Sequence, residues 1–490
     1  MTSTLKIPGY YYDEEKKKYF KIEKSNTAPS NAVWSSDSVK KRRLEDEEAA
    51  KAIRRMTLDK SRVARAKILN HPLAGGFLDC EFGRPRPDVA SAGFAEGLVD
   101  KGKLLLKDAR WTSASNVNHM YIDGQDRNTD MCVAFARSIV GFWRITRLLQ
   151  PVSSCLLSFL CTLPFNDVMY NRTDDRIAPY HELAVPQISD IKYHQPSNQV
   201  LVTSRSPSQD VVIWAFTPKE TDASDTRPRW LLGWSGNSVY RRINTQGDLK
   251  HHDYQANSVV PAPENSNQVC AIGTNRGVVR WVADGYRVWL TPRSFPPKER
   301  NPYTDIFSLD FQRVHPDILM FGGRPGKMWI GDHRQPQDKW DIVSASSSIT
   351  HIRSVNEHQV LIAGLRDKLS VYDLRFRKNK SGDTSTNGAL PVLTFPQYRN
   401  RAHINIGLDF DGPSGVVAAA HEDGKVALYS VYSGNRLRSP DVDTIHSPRG
   451  PIQCIQYQTF PRDNSPTLFV GAQSNINAYS FGVRSLQDEA

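Results

Sequence analysis

Residues 306–334 read IFSLDFQRVHPDILMFGGRPGKMWIGDHR, and residues 347–375 read SSITHIRSVNEHQVLIAGLRDKLSVYDLR. Moved forward by 41 positions, the first stretch falls on the second. Gly323 meets Gly364, Asp332 meets Asp373 and Arg334 meets Arg375. Met320 and Phe321 meet Leu361 and Ile362, while Met328 and Ile330 meet Leu369 and Val371. Each copy offers a half-alternating strand, a turn, a short apolar strand ending in Gly, a second turn, and an alternating strand ending Asp-x-Arg. A period of about 40 to 45 residues carrying several short strands specifies a β-propeller blade. One blade cannot bury both its faces alone, so neighbours must stack on it. The expected fold is all-β, a WD-repeat-like propeller.

Outward from this pair, further blades recur. One is ISDIKYHQPSNQVLVTS with VVIWAF at 211–216. A second is QVCAIGT with GVVRWV at 277–282, fed by a Trp-rich strand around Trp230 and Trp234. After a Gly/Ser/Asn/Lys-rich insertion at 376–391 come blades at 405–431 and 452–481, which brings the recognisable total to six. A seventh is expected from residues 90–170, completed by the C-terminal strand, because ring closure removes exposed sheet edges. Strands are expected there at Lys103–Leu106, Met131–Ala136 and Ile139–Ile145. The reading divides the chain into an aromatic hairpin and linker (1–35), a charged helix (36–70), a transition segment (71–100) and the propeller (101–490).

The extension has its own chemistry. Of the chain's net charge of +11, residues 1–70 carry +7 from 17 Lys/Arg and 10 Asp/Glu. Residues 7–22 (IPGYYYDEEKKKYFKI) read as a hairpin, with strand-favouring rings on either side of a charged turn. Its aromatics could stack on RNA bases, or one aromatic face could pack on the propeller or on a partner, and the second reading is favoured because a short arm needs such anchors to be ordered. From Ser36 to about Leu69 no Gly or Pro interrupts, Ser36 or Asp37 can cap, and opposite charges stand four apart, as in Lys41/Glu45. Within that helix Lys40, Lys41, Arg42 and Arg43, then Arg54 and Arg55, have the spacing of a bipartite nuclear import signal. A solvated, ion-paired helix face is the competing account.

Other classes are disfavoured. No run approaches the roughly 20 apolar residues of a spanning helix, and the first residues lack the apolar core of a secretory signal. The six cysteines are scattered without a C-x-x-C pair, so reduced thiols are expected, with no zinc site and no disulfide framework. Gly322–Lys327 hints at a phosphate loop, but Met328 replaces the Ser/Thr and Pro325 removes an amide donor. His251, His252 and Asp253 lack a second ligand pair at usable spacing. No nucleophile or metallohydrolase signature occurs. The expectation is a protein without enzymatic activity or cofactor.

The repeated Asp-x-Arg stands apart. Asp332/Arg334 and Asp373/Arg375 end the same strand of adjacent blades, so their arginines should emerge on one rim. A single copy would be read as a pair closing its own blade. Two copies in one register favour a binding edge, since arginine is enriched at interface hot spots.

Paired Asp-x-Arg boxes on adjacent blades resemble the WD-repeat substrate receptors of cullin-4 RING ubiquitin ligases. The opening Ile7-Pro8-Gly9-Tyr10-Tyr11-Tyr12-Asp13, with Lys18-Tyr19-Phe20-Lys21-Ile22 and Val39-Lys40-Lys41-Arg42-Arg43-Leu44, is similar to the N-terminal signature of the cullin-4-associated factor 4 family, in its fungal-type form. The resemblance implies a non-enzymatic receptor whose Arg334 and Arg375 contact the damage-specific DNA-binding-protein adaptor and which recruits a protein substrate. It further implies a helical segment, here 36–56, that enters the adaptor. The family's box reads Trp-Asp-x-Arg, whereas Gly331 and Tyr372 stand at the Trp position here. The rival reading is a nuclear WD-repeat scaffold that binds RNA or chromatin through residues 1–70. Either reading expects a nuclear protein, with a cytoplasmic pool left open.

Overall fold

The computed structural model describes residues 9–13, 16–23, 34–42, 44–45, 47–49, 88–105, 117–126, 130–139, 157–164, 181–197, 199–205, 212–216, 255–275, 277–282, 287–290, 305–336, 340–345, 347–375, 390–461, 463, 465–473 and 475–482. The chain divides into two compact units, residues 1–78 and 79–490.

In the first unit, strands Tyr10–Asp13 and Lys18–Lys21 pair antiparallel, with Tyr12 opposite Tyr19. Those two rings lie 4.8 Å apart, and Phe20 stacks on Trp34 at 4.8 Å and 13°. The guanidinium of Arg42 lies 5.5 Å from the Tyr11 ring and donates to its hydroxyl. These contacts lie within the first unit, and Tyr10 and Tyr19 remain exposed. Helical structure begins at residue 36, and the cap is Ser35 rather than Ser36 or Asp37. The Ser35 hydroxyl accepts from the Ser38 amide at 3.3 Å, satisfying a donor that the first turn leaves open.

The second unit is a seven-sheet ring. In chain order its innermost strands are Val117–Asp126, Ile188–His194, Ala256–Pro261, Ile306–Phe311, Ile349–Ser354, Leu408–Asp411 and Cys454–Gln458. They head blades I to VII. Each touches the next, and the last returns to the first. Six sheets are four-stranded, and blade II shows three strands among the described residues.

Alternation within the strands makes the ring cohere. In blade IV, Leu319, Phe321 and Trp329 pack toward blade III, while Met320, Met328 and Ile330 pack toward blade V. Both faces are buried, so these strands are apolar throughout instead of alternating with polar residues. Five inner strands, in blades I to V, carry a bulge near their start, for example between Ile306 and Ser308 and between Ile349 and His351. Side chains of one inner strand also hold the next blade's backbone. Asp190 accepts from the Val259 amide (3.1 Å), Asp310 from Ser354 (2.6 Å) and Asp409 from Tyr457 (2.7 Å).

Three sequence expectations change. The 41-residue offset holds for the second and third strands of blades IV and V, but the inner strands are 43 apart, Ile306 corresponding to Ile349. Blade IV's first turn is two residues longer, so one rigid shift cannot align all strands. The inner strand of blade III is Ala256–Pro261, whereas the Trp-rich segment expected to feed it lies outside the described residues. Closure also runs the other way. Residues 117–186 make a complete four-stranded blade I, and the N-terminal strand Leu98–Leu105 completes the C-terminal blade VII by pairing with Asn475–Phe481. The expected strand at Ile139–Ile145 is described only at Ile139, the last residue of Asp130–Ile139.

A helix, Val89–Glu96, leads into the closing strand and packs Phe94 against Phe481, ring centroids 6.4 Å apart. The Gly322–Lys327 segment is the turn into blade IV's third strand. Gly326 has φ +91°, and a Cβ there would lie 2.6 Å from the Ser347 carbonyl, so glycine is required. His251, His252 and Asp253 lie outside the described residues, as does most of the 376–391 insertion.

Candidate functional site

Strands Lys327–Asp332 and Lys368–Asp373 are the third strands of blades IV and V, and each Asp is the last residue of its strand. Beyond them the chain turns, and the aspartate captures the turn. In blade IV, Asp332 accepts from the Arg334 amide (3.0 Å), from Nε (2.9 Å) and from Nη2 (2.8 Å). In blade V, Asp373 accepts the same three donors of Arg375 at 2.9, 3.1 and 2.7 Å. The two boxes are thus built alike: one carboxylate holds both the backbone and the guanidinium in a bidentate fork. The carboxylates are mostly sunk, at 14% and 4% exposure, while the arginines stand out at 62% and 58%. Hydrogen bonds from Arg334 hold Asp332 down to about 2, and those from Arg375 lower Asp373 in the same way. Both boxes are charged at neutral pH.

The residue inside each box differs, and so does its work. Leu374 is buried in the apolar seam between blades IV and V. His333 instead reaches Asp317, with Nε2 3.0 Å from the carboxylate, and stands 3.3 Å from the Gln268 amide of blade III. Gln268 in turn accepts from Nε of the buried Arg280 at 2.7 Å. Asp317 also takes Nη1 of Arg334 at 3.1 Å. On the blade V side Gln312 donates to the Glu357 carbonyl, and Glu357 lies 3.7 Å from His315 and 3.8 Å from His358. The first turns of blades IV and V therefore share the rim with the boxes. These turn residues have no local signature, because the strand pairing alone brings them beside the Asp-x-Arg ends.

Gly331 has a structural reason to be glycine. Trp340 lies across it, so that a Cβ at 331 would sit 2.9 Å from the indole, and Trp340 Nε1 donates to the Asp332 carbonyl at 3.2 Å. An indole is supplied here from nine residues downstream. Tyr372, at the same position in blade V, is buried in the apolar seam with Ile362 and Leu374. Its ring is used for packing.

Of the basic clusters, Lys40, Lys41 and Arg42 are exposed on the helical segment that begins at residue 36, with Lys41 Nζ 3.9 Å from Glu45. Arg43, Arg54 and Arg55 lie outside the described residues. Among the described residues no group of three or more His, Cys, Asp or Glu is placed to hold a metal ion, and Cys270 and Cys454 are free, buried thiols. No described helix is long and apolar enough to cross a membrane.

No protein-family model matches the chain, and no curated protein matches it. Among solved structures it is similar to the β-propeller domain of Cps50 (Swd1) from Myceliophteria thermophila, at 12% identity. That match covers 79% of this chain and all of the other, with a TM-score of 0.47. The propeller architecture itself rests on this chain's own strand pairing and ring of inner strands.

Proposed function

We propose that this chain is a non-enzymatic substrate receptor of a cullin-4 RING ubiquitin ligase. It docks on the ligase's damage-specific DNA-binding-protein adaptor through the Asp332–Arg334 and Asp373–Arg375 rim and presents a protein substrate. The observation that carries this reading is the pair of identically forked, outward-standing arginines on adjacent blades. The carboxylates are sunk and hold the ends of their own strands, while the guanidinium heads stand in solvent and stay open to a partner. What the fork supplies is order. A guanidinium already fixed in its plane loses less rotamer entropy when a partner closes over it. The N-terminal signature supports the same reading, and the basic clusters at 40–43 and 54–55 serve under it as a nuclear import signal, with the protein expected in the nucleus.

The test is an adaptor titration with the Arg334→Ala plus Arg375→Ala chain, run beside thermal melting. Loss of a hot-spot arginine costs about 2 kcal/mol or more, so the pair should weaken binding on the order of a hundredfold or more while the propeller stays folded. Arg375 should contribute the larger share, because its carboxylate anchor is the more buried of the two. An unchanged titration and an unchanged melt together defeat the rim as the docking edge. A lowered melt with intact adaptor binding would assign both boxes to blade closure. Copurification with RNA or chromatin in place of cullin-4 would shift function to the basic arm.

A further inference from the structure

The two arginines of the rim have a counterpart on blade VI. The third strand of that blade, Val426–Ser430, ends at the same level as theirs: Ser430 pairs with Val416, the first residue of its second strand, as Asp332 pairs with Ile318 and Asp373 with Gln359. In all three blades the next amide crosses to the turn between the first and second strands. His333 donates to the Asp317 carbonyl (3.2 Å), Leu374 to that of His358 (2.7 Å) and Val431 to that of Gly415 (2.9 Å). One residue further on, the amide folds back onto the side chain that ends the strand. Tyr432 donates to Ser430 Oγ at 3.3 Å, where Arg334 and Arg375 donate to their aspartates. Tyr432 therefore takes the arginine's place on blade VI, and it too stands outward, at 51% exposure.

The supports beneath the position explain the change of residue. Ser430 has no carboxylate with which to fork a guanidinium. Blade VI supplies Gly415 instead, whose φ of +66° favours glycine. A Cβ there would overlap the Tyr432 ring, so the ring lies over the bare backbone of the first turn. At the equivalent place blade IV has Asp317, which takes Arg334 at 3.1 Å. A carboxylate thus steadies the charge on one blade, and a glycine makes room for the ring on another. Blades V and VI meet along this edge: a Cβ at Gly434, in the turn after Tyr432, would lie 2.5 Å from the carbonyl oxygen of Thr394 in the outer strand of blade V. Toward blade VII the edge is bounded by the helix Val89–Glu96, whose Ser91 hydroxyl donates to the Ser414 carbonyl at 2.6 Å.

We propose that the docking edge spans three blades, with Tyr432 as its third anchor. It fits a protein surface that sets carboxylates against Arg334 and Arg375 and an apolar recess against the Tyr432 ring. The inference rests on the adaptor reading above, and the adaptor is the occupant. A specific interface engages roughly 20–30 residues a side, more than two boxes supply, so a partner seated on blades IV and V extends onto the adjacent blade. Tyrosine and arginine are both enriched among the residues that carry binding energy, and a phenol ring brings a large contact area with few torsions to order.

The experiment is adaptor titration of full-length chains carrying Tyr432→Ala or Tyr432→Phe, beside the Arg334→Ala plus Arg375→Ala chain, each with a thermal melt. Tyr432→Ala should bind about tenfold or more weakly, as loss of an anchor does, and should melt close to the wild type. Tyr432→Phe keeps the ring and should bind within about threefold of the wild type. If Tyr432→Ala binds like the wild type while the double arginine chain binds weakly, the three-blade edge is overturned and the adaptor reading stands. If Tyr432→Phe is as weak as Tyr432→Ala, the ring is not the anchor. A Tyr432→Ala chain that loses melting temperature and binding together would assign the ring to packing on Gly415 and overturn the inference. Wild-type binding by all three variants, or no adaptor binding by the wild type, would defeat the rim itself and this inference with it.

Discussion

Shortening Leu98 to Ala tests how the ring closes. Leu98 opens the strand that completes blade VII, pairs with Phe481 and is 1% exposed. It belongs to the apolar cluster shared by blades VI and VII, beside Ala95, Val416, Ala418 and Leu428. Buried Leu→Ala changes cost about 2–5 kcal/mol, the larger values where the surroundings cannot collapse into the void. Here the neighbours include short alanines and β-branched residues on paired strands, which have little freedom to move inward. A loss of about 3 kcal/mol or more is therefore expected. With about 2 cal/mol/K of unfolding entropy per residue over about 390 residues, that loss lowers the melting temperature by about 4 °C. Removal of residues 1–105 is the stronger version of the same test, because it strips the partner from Asn475–Phe481 and leaves an open edge. That chain should self-associate on size exclusion, and the amides of Asn475–Phe481 should lose protection from hydrogen exchange. A Leu98→Ala melt within 1 °C of wild type, with a truncated chain that stays monomeric and protected (~1 °C being well below the loss expected from cavity formation), would refute closure by the N-terminal strand.

Two further outcomes follow from charge. Because the Asp332 carboxylate is held down to about 2 in the folded chain, the box adds stability above the ordinary aspartate range and loses it as pH falls through about 2. Carbon-13 titration should therefore find the Asp332 midpoint well below that of an ordinary aspartate, and Arg334→Ala should return it toward the normal range. If Lys40–Arg43 and Arg54–Arg55 form an import signal, a full-length fluorescent fusion should concentrate in the nucleus, and replacement of both clusters by Gln should disperse it; equal distributions of the two fusions would leave these residues as a solvated helix face.

The propeller was legible where both faces of a blade are buried. In blades IV and V the second and third strands have largely apolar, buried interiors and end in Gly and in Asp-x-Arg at a constant offset, so the repeat stands out. Legibility failed where pairing is remote or turns vary. Leu98–Leu105 (LVDKGKLL) is an outer strand with a polar middle, and its partner lies more than 370 residues away. No local pattern announces such a pair. The two-residue difference in the first turns hid the true correspondence of Ile306 with Ile349. Within the rim, Asp332, Arg334, Asp373 and Arg375 could be read directly because each box is local in sequence. Asp317, Glu357 and Trp340 could not, since they reach the boxes only through sheet pairing and packing.

The order of strands within a blade separates the two faces of the ring. The chain runs up the innermost strand, down the second, up the third and down the fourth, so the end of a third strand shares a face with the turn between the first and second. Asp332–Arg334, Asp373–Arg375, Asp317 and Glu357 all lie on that face. The start of an inner strand and the end of a second strand lie on the opposite one, and there stand Asn257, Ser258 and Arg205. A large protein seated on the arginine rim would thus leave the opposite mouth of the ring's central channel open. The antiparallel blade allows one propeller to be held by one face while the other stays available for recognition. Substitutions at Arg205 or Asn257 and substitutions at Arg334 or Arg375 therefore interrogate different faces of the ring, and their effects should add instead of masking one another.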